Sequence, residues 1–339
     1  MQYAQLGTTG AFVSRVALGA MTFGGRGVQP WDTVGGLDEK ETDRLVGAAL
    51  DQGVNLIDTA DVYGMGESEE LLGRVLGARR DDVVLATKAT ARTGPGPNQV
   101  GQSRLHLTRS LEDSLRRLNT DHVDLYQIHN FDPLTPFEES LAALDDAVRQ
   151  GKVRYVGASN LAAWQLMQAL GVSERRGFAR FCALQSYYSL AGRDIEQEIL
   201  PLVRDQRLGL LVWSPLAGGL LSGKFDRTGV AESDARRAKA DFPPVDREHV
   251  YDIIDALRAV AARHDTGVAR VALAWVLAQP GVTSVIVGAR RPGQLDDNLT
   301  AVDLELTAQD LDELGRASAR PATYPGWIQG DHGRFPQVS

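Results

Sequence analysis

Short runs of consecutive apolar residues alternate with longer amphipathic stretches along most of the chain. Such runs are typical of parallel strands, which are covered on both faces and so present no side to water. The predicted strands are Val16–Gly19, Val54–Asp58, Val83–Thr87, Val123–His129, Arg154–Ala158, Ala183–Gln185, Leu210–Trp213 and Val282–Val287. The predicted helices are Glu39–Gln52, Glu67–Leu76, Ser103–Leu118, Phe137–Gln150, Ala162–Leu170, Ile195–Gln206, His249–His264 and Ala269–Gln279. Units of strand and helix in this number favour closure into an α/β fold, the (β/α)8 TIM barrel, although the pattern alone also permits a doubly wound open sheet.

Several segments depart from the strand-and-helix repeat. The opening segment Tyr3–Arg15, with GTTG at its centre, predicts an N-terminal β-hairpin that closes the bottom of the barrel. The polar segment Ala217–Arg247 is predicted to be a long mobile loop or lid after the seventh strand. Residues 318–339 are predicted to be a tail over the barrel, so that residues 1–339 form a single domain. Glycines that follow predicted helices are expected to close them in a left-handed conformation, namely Gly53, Gly77, Gly151 and Gly171.

The net charge and the cysteine content of the chain argue against some classes of protein. The 339 residues carry a net charge of −8, which argues against a nucleic-acid partner, because such proteins usually present a basic face. The single cysteine, Cys182, cannot form an internal disulfide, which favours a reducing, cytosolic compartment. Its apolar surroundings predict a buried core thiol. No signal peptide, membrane span or metal-ligand set is predicted.

Four polar residues lie at or just after the ends of predicted strands. Asp58 ends VNLID, Lys88 ends VVLATK and His129 ends VDLYQIH, while Tyr63 follows Asp58 in the turn TADVYGMGES. The carboxyl ends of barrel strands open onto one face, where active sites of this fold lie. We therefore expect these four side chains to meet, although each one alone is more often structural.

The chemistry available to this group is definite. A free phenol has a pKa near 10, and a neighbouring lysine ammonium lowers it by favouring the phenolate. A carboxylate fixes the lysine and keeps it charged, and a histidine donates a hydrogen bond to a substrate oxygen. Together these groups polarise a carbonyl and protonate it. No side chain supplies a hydride, so the hypothesis requires a nicotinamide cofactor.

The sequence resembles the aldo-keto reductase superfamily at several motifs that follow the family's order. The matching segments are NLIDTADVYGMGESEELLGRVL, LYQIH, GKVRYVGASNL, VWSPLAGGLLSGKF and VGARRPGQLDDNL. They resemble, in turn, the family's first signature, the segment ending in the active-site histidine, the strand with a Ser-Asn pair, the loop over the cofactor diphosphate and the segment that holds the adenosine. The resemblance runs from about residue 3 to about residue 305.

This resemblance implies a role for each matching residue. Tyr63 is the implied general acid, with Lys88 and Asp58 supporting it and His129 orienting the carbonyl. The implied contacts of the nicotinamide carboxamide are Ser159, Asn160 and Gln185, and Trp213 stacks on the ring. The implied diphosphate contacts are Ser214, Leu216, Gly218 and Lys224. The implied contacts of the adenosine and its 2′-phosphate are Gly288, Arg290, Gln294 and Asn298.

Physical arguments accompany two of these implied sites. The segment SPLAGG offers backbone N–H groups with little side-chain obstruction, which suits an anion, although an ordinary turn is the alternative. Arg290 and Arg291 are placed to clamp a 2′-phosphate, so NADPH is predicted over NADH. A solvated charge pair is the alternative reading of the two arginines.

The chain also departs from the family pattern. It has Leu18-Gly19-Ala20 where Leu-Gly-Thr is frequent, and it has Gly288 and Gln294 where vertebrate members have Lys and Arg. These features place it nearer to bacterial oxidoreductases and to the beta subunits of voltage-gated potassium channels. Those subunits typically have Asn in the histidine position, whereas this chain has His129.

Three functions remain open from the sequence. The first is an NADPH-dependent reductase with a small aldehyde or ketone as its substrate. The second is a cofactor-binding regulatory subunit with little turnover, and the third is a barrel enzyme that acts on a phosphorylated sugar without a nicotinamide. Candidates to line an apolar substrate pocket are Met21, Phe23, Trp31, Tyr187, Tyr324 and Trp327. The identity of the substrate and the oligomeric state cannot be predicted.

Overall fold

The computed structural model describes residues 1–227, 229, 230, 237 and 241–328. The strands are β1 Tyr3–Gln5, β2 Phe12–Ser14, β3 Val16–Gly19, β4 Leu56–Asp58, β5 Val84–Ala89, β6 Val123–Ile128, β7 Val153–Ser159, β8 Ala183–Tyr187, β9 Gly209–Trp213, β10 Phe225–Asp226, β11 Gly229–Val230 and β12 Val282–Val287. The centre of the fold is a closed barrel of parallel strands in the order β12-β3-β4-β5-β6-β7-β8-β9, which confirms the predicted fold class.

Helices surround this barrel. They are α1 Trp31–Val34, α2 Glu39–Asp51, α3 Glu67–Leu76, α4 Arg104–Arg117, α5 Phe137–Arg149, α6 Ala163–Arg176, α7 Ile199–Asp205, α8 Arg247–Arg263, α9 Val268–Leu277, α10 Pro292–Leu299 and α11 Ala308–Ala317. Local sequence fixes where some of the helices begin. Asp38 and Glu41 form a capping box before α2, and Ser103 accepts a hydrogen bond from the His106 amide at 3.2 Å before α4. Among the described residues, no helix is long and apolar enough to cross a membrane.

The N-terminal hairpin closes one end of the barrel, as predicted. Strands β1 and β2 pair in antiparallel fashion, and Leu6 and Val13 from this hairpin are fully buried. They pack against an inward-facing apolar layer made by Ala17, Leu56, Ala86, Leu125, Ala183, Leu211 and Ile286. Cys182 packs in the same cluster, and burial raises the pKa of its thiol to about 12, which confirms the predicted core thiol.

The predictions for two of the helices were wrong. Helix α6 runs through Gly171 to Arg176, and the left-handed residue that ends it is Gly177, with φ of 67°. The prediction failed because the apolar positions Leu166, Ala169 and Val172 continue the buried face past the glycine. The predicted helix Ile195–Gln206 is divided into a 3-10 turn, Asp194–Glu196, and the short helix α7.

The long segment after the seventh strand and the C-terminal tail are described in part. Within 217–247, a 3-10 turn spans Ala217–Ser222, while residues 228, 231–236 and 238–240 lie outside the described residues. In the tail, Tyr324 and Trp327 pack against each other with ring centroids 5.9 Å apart, and both are exposed. The rest of the tail, 329–339, lies outside the described residues, so its predicted placement over the barrel stays a prediction.

Candidate active site

Strand alternation builds a polar layer directly above the apolar bottom of the barrel. Side chains two residues apart share one face of a strand, so Asp58 lies above Leu56 and Lys88 lies above Ala86. By the same alternation Gln127 and Gln185 face inward at the carboxyl ends of β6 and β8. All four side chains are buried. The open end of the barrel therefore gathers charged and amide groups from four strands.

Lys88 is the centre of this layer and is fully buried. Its Nζ donates to Asp58 Oδ2 at 2.6 Å, to the Thr59 carbonyl at 2.8 Å and to the Tyr63 hydroxyl at 3.3 Å. The other Asp58 oxygen accepts from Gln185 Nε2 at 2.8 Å and from Gln127 Nε2 at 3.3 Å. All three N–H groups of the ammonium therefore donate hydrogen bonds, one of them to the hydroxyl of Tyr63.

The electrostatics of the layer keep Lys88 charged and His129 neutral. Burial alone lowers the pKa of Lys88, but the Asp58 carboxylate and then Tyr63 outweigh it, so the pKa lies above its ordinary value. Burial and the Lys88 charge lower the pKa of His129 to about 3. The imidazole Nδ1 is buried and has no hydrogen-bond partner among the described residues.

Aromatic rings surround the phenol of Tyr63. Its ring meets His129 edge-on, with centroids 5.8 Å apart, and it meets Trp31 at 5.5 Å. The half-buried Tyr63 begins a tight turn in which Met65 and Gly66 have positive φ, of 59° and 100°. The structure thus brings together all four residues that the sequence predicted to meet.

The predicted carboxamide contacts adjoin this group. Ser159 Oγ donates to the Gln185 carbonyl at 3.1 Å, and Asn160 Nδ2 donates to the His129 carbonyl at 3.0 Å. Trp213 Nε1 donates to Asn160 Oδ1 at 3.0 Å. The Trp213 ring already has two aromatic neighbours, Tyr187 at 5.1 Å and the parallel Phe242 at 5.8 Å.

The predicted diphosphate segment is a compact turn. Ser214 Oγ accepts from the Gly218 amide at 2.8 Å, and the amides of Ala217 and Gly219 also bond within the turn. These amides are therefore not offered outward, in contrast to the expected anion cradle. Leu216 lies in the same turn, and Lys224 follows it and is exposed.

The predicted adenosine contacts lie just before α10 and along it. The Arg290 amide donates to Gln294 Oε1 at 3.1 Å, and the Arg290 guanidinium donates to the carbonyls of Thr33 and Val34 at 3.0 and 3.3 Å. Asn298 is buried on α10, whereas Gly288 and Gln294 are exposed. Arg290 therefore also holds the end of α1, the helix that carries Trp31.

The predictions from the sequence missed one residue near the site and misplaced some of the candidates for the substrate pocket. Gln127 was missed, although it stands two residues before His129, so alternation alone would have turned it inward. Of the pocket candidates, Trp31 and Tyr187 lie beside site residues. Phe23 is fully buried, and Tyr324 contacts Trp327.

Comparison with known proteins agrees with this geometry. The profile of the aldo/keto reductase family matches residues 15–319. An uncharacterized oxidoreductase of Bacillus subtilis, YrpG, is 41% identical over 92% of this chain and 94% of its own length. A probable voltage-gated potassium channel subunit beta of Arabidopsis thaliana is 37% identical over 96% of this chain and 100% of its own. Versiconal hemiacetal acetate reductase of Aspergillus parasiticus is 33% identical over 96% and 99%.

Proposed function

Because the chain belongs to the aldo/keto reductase family, we propose that it is an NADPH-dependent oxidoreductase that reduces an aldehyde or a ketone to an alcohol. The observation that carries this proposal is the bond from Lys88 Nζ to the Tyr63 hydroxyl at 3.3 Å, made by an ammonium that Asp58 holds at 2.6 Å. Two of the relatives are named as an oxidoreductase and a reductase. We place the enzyme in the cytosol, where a lone buried thiol such as Cys182 stays reduced.

The side chains divide the chemistry between them. Tyr63 gives its proton to the carbonyl oxygen as negative charge develops there. Lys88, which is held by Asp58 and the Thr59 carbonyl, stabilises the resulting phenolate. The neutral His129 keeps one N–H, and a proton on Nε2 gives it a donor for the substrate oxygen. The ring of Trp31 lies 5.5 Å from the ring of Tyr63 and forms one aromatic side of this position.

Part of the rim supports the proposal of a dinucleotide, although the amides of the predicted diphosphate turn bond within that turn. Arg290 and Arg291 stand at the start of α10, where helix dipoles and charge together favour a phosphate. A Cβ added at Gly219 or Gly293 would meet no atom of the described residues within 4 Å. The residues proposed to hold the cofactor are Ser159, Asn160, Gln185, Trp213, Ser214, Leu216, Gly218, Lys224, Gly288, Arg290, Gln294 and Asn298. When bound, the nicotinamide supplies the hydride.

A kinetic screen tests the reaction class. Aldehydes, ketones and sugars are offered to the purified protein with NADPH and, separately, with NADH, and oxidation of each cofactor is followed by absorbance. We expect turnover of reactive aldehydes with NADPH and a lower kcat/KM with NADH. No fluorescence change of NADPH on mixing would contradict the proposal and would favour a barrel enzyme that uses no nicotinamide.

The arginine pair makes the cofactor preference testable. Charge-assisted hydrogen bonds contribute about 1.5–3 kcal/mol, so Arg291→Ala is expected to raise the KM for NADPH roughly 10-fold or more. The KM for NADH should stay within about twofold, because NADH has no 2′-phosphate for the guanidinium to bind. An equal rise for both cofactors would assign Arg291 a structural role and remove this argument for NADPH.

A regulatory subunit is the second candidate function. It is favoured by the 37% identity with a probable channel beta subunit over nearly the whole of both chains. Tight NADPH binding without turnover of any carbonyl in the screen would support it. The complete set of Asp58, Tyr63, Lys88 and His129 favours the enzyme.

A further inference from the structure

A second cluster of buried ionisable side chains lies behind the turn that carries Tyr63. Asp61 and Glu69 are buried, with exposed fractions of 2% and 0%. Glu69 accepts from Thr87 Oγ1 at 2.5 Å and from Arg117 Nε at 2.7 Å. The guanidinium is thus paired with Glu69, and the cluster holds two carboxyl groups beside one positive charge.

Asp61 is the carboxyl group of this cluster that is not paired with the Arg117 guanidinium. Neither of its oxygens accepts a hydrogen bond of good geometry from the described residues. The Ser110 hydroxyl and the Val62 amide face the carboxyl group and favour its charged form, but more weakly than burial and Glu69 oppose it. Burial, followed by the Glu69 carboxylate, raises the pKa of Asp61 to about 8, with Arg117 opposing the shift. Asp61 is therefore mostly protonated at pH 7.

The groups that face Asp61 come from three elements. Glu69 stands on α3, Arg117 and Ser110 stand on α4, and Tyr126 faces it from β6. The Tyr126 hydroxyl donates to the Leu107 carbonyl at 3.1 Å, and Asp61 and Glu69 both favour its neutral form. Arg117 is thus the one cation among these neighbours, and it cannot neutralise two carboxylates.

The cluster supports both ends of the catalytic turn. The Asp61 amide donates to the Lys88 carbonyl at 3.0 Å, which ties this end of the turn to the strand of the catalytic lysine. At the other end, Gly66 lies so close to Arg117 that an added Cβ would stand 2.9 Å from Arg117 Cδ. Tyr63 lies between these two points, so a shift of either one moves the phenol.

We propose that Asp61 is a positioning residue for Tyr63: as a neutral acid it seats the turn against α3 and α4, and as an anion it drives the turn outward and separates Tyr63 from Lys88. The inference rests on the proposed carbonyl reduction. Ionisation places a second carboxylate beside Glu69 without a counter-ion, and a buried unpaired charge is strongly unfavourable. The turn relieves this repulsion by opening toward water.

The direction of the reaction separates this effect from the ionisation of Tyr63 itself. Reduction needs the protonated phenol and alcohol oxidation needs the phenolate, so deprotonation of Tyr63 slows the first and favours the second. Ionisation of Asp61 displaces the phenol in either state. A loss of turnover in both directions at alkaline pH is therefore the signature of Asp61.

The test measures kcat and KM for both directions between pH 6 and 10 in the wild type and in Asp61→Asn. With a pKa of about 8, wild-type alcohol oxidation should be about tenfold below its maximum at pH 9, because only about a tenth of Asp61 is still protonated there. Asp61→Asn has a side chain of nearly the same shape that stays neutral at every pH, so its alcohol oxidation should show no such fall at pH 9. Asp113→Asn, a control on α4 that breaks an exposed ion pair with Arg116, should follow the wild type.

The free energy of unfolding gives a second readout. Asp61 has a pKa near 3.9 when unfolded and about 8 when folded, so its contribution is fully present below about pH 4 and is lost as pH rises to 8. In urea unfolding, Asp61→Asn should therefore gain stability over the wild type progressively from pH 4 to 8. The difference should then become constant.

Crystal structures at pH 6 and pH 9.5 decide the positioning claim independently of any turnover. The distance between Lys88 Nζ and the Tyr63 hydroxyl is 3.3 Å here. We expect it to lengthen in the wild type at pH 9.5 and to stay unchanged in Asp61→Asn. An unchanged distance in the wild type, or an equal alkaline loss of oxidation in both proteins, overturns the inference. Absence of all carbonyl turnover at pH 7 contradicts the proposed function instead.

Discussion

Replacing Tyr63 by phenylalanine is expected to lower kcat for carbonyl reduction by about 10²- to 10⁴-fold, the usual contribution of a general acid. The substitution removes the one hydroxyl that Lys88 Nζ reaches at 3.3 Å and leaves the Asp58 pair at 2.6 Å in place. The assay is NADPH oxidation under saturating conditions with the best carbonyl of the screen. NADPH binding, measured by fluorescence titration, should be unchanged, because the hydroxyl is needed for proton transfer and not for holding the dinucleotide.

A matched substitution separates catalysis from packing. Tyr251→Phe removes a phenol from α8, where the ring contacts Arg227, and should keep wild-type turnover. The stability of Tyr63→Phe should fall by no more than about 1.5 kcal/mol, since one hydrogen bond at a half-buried position is lost. Near wild-type turnover in Tyr63→Phe would show that another group delivers the proton, and the proposed mechanism would be wrong.

The barrel and the four chemical residues were predictable because they depend on local rules. Runs that are apolar on both faces predict parallel strands, and the carboxyl ends of barrel strands must open at one end, so Asp58, Lys88 and His129 had to meet. The hairpin was predictable from its turn residues, and its buried Leu6 and Val13 close the barrel.

Other features depend on contacts between distant segments, which no local pattern encodes. Arg290 holds the carbonyls of Thr33 and Val34, more than 250 residues away in sequence, and so supports the helix that carries Trp31. Asp61 looks like one more polar residue of a turn until α3 and α4 enclose it with Glu69 and Arg117. The diphosphate segment has the composition of an anion cradle, but Ser214 turns its amides inward.

Substitutions in the buried pair of Lys88 and Asp58 are expected to change the free energy of unfolding and the turnover in different ways. Lys88→Met is expected to abolish carbonyl reduction and to lower the free energy of unfolding by about 3–5 kcal/mol, the usual cost of removing one partner of a buried ion pair. The loss arises because the Asp58 carboxyl group, only 3% exposed, is left with two amide donors and no cation beside it. Urea unfolding of the wild type and the variant measures the difference.

The double variant Asp58→Asn/Lys88→Met supplies the decisive comparison. With both charges gone, most of the lost stability should return, since the side-chain amide that replaces the carboxylate can still accept from Gln127 and Gln185 through its oxygen. The Thr59 carbonyl, which accepts from Lys88 at 2.8 Å, loses its donor and leaves a deficit of about 1–3 kcal/mol. Turnover should stay as low as in Lys88→Met, because no ammonium remains to stabilise the phenolate of Tyr63. Recovery of activity together with stability would mean that Lys88 acts only as part of the scaffold.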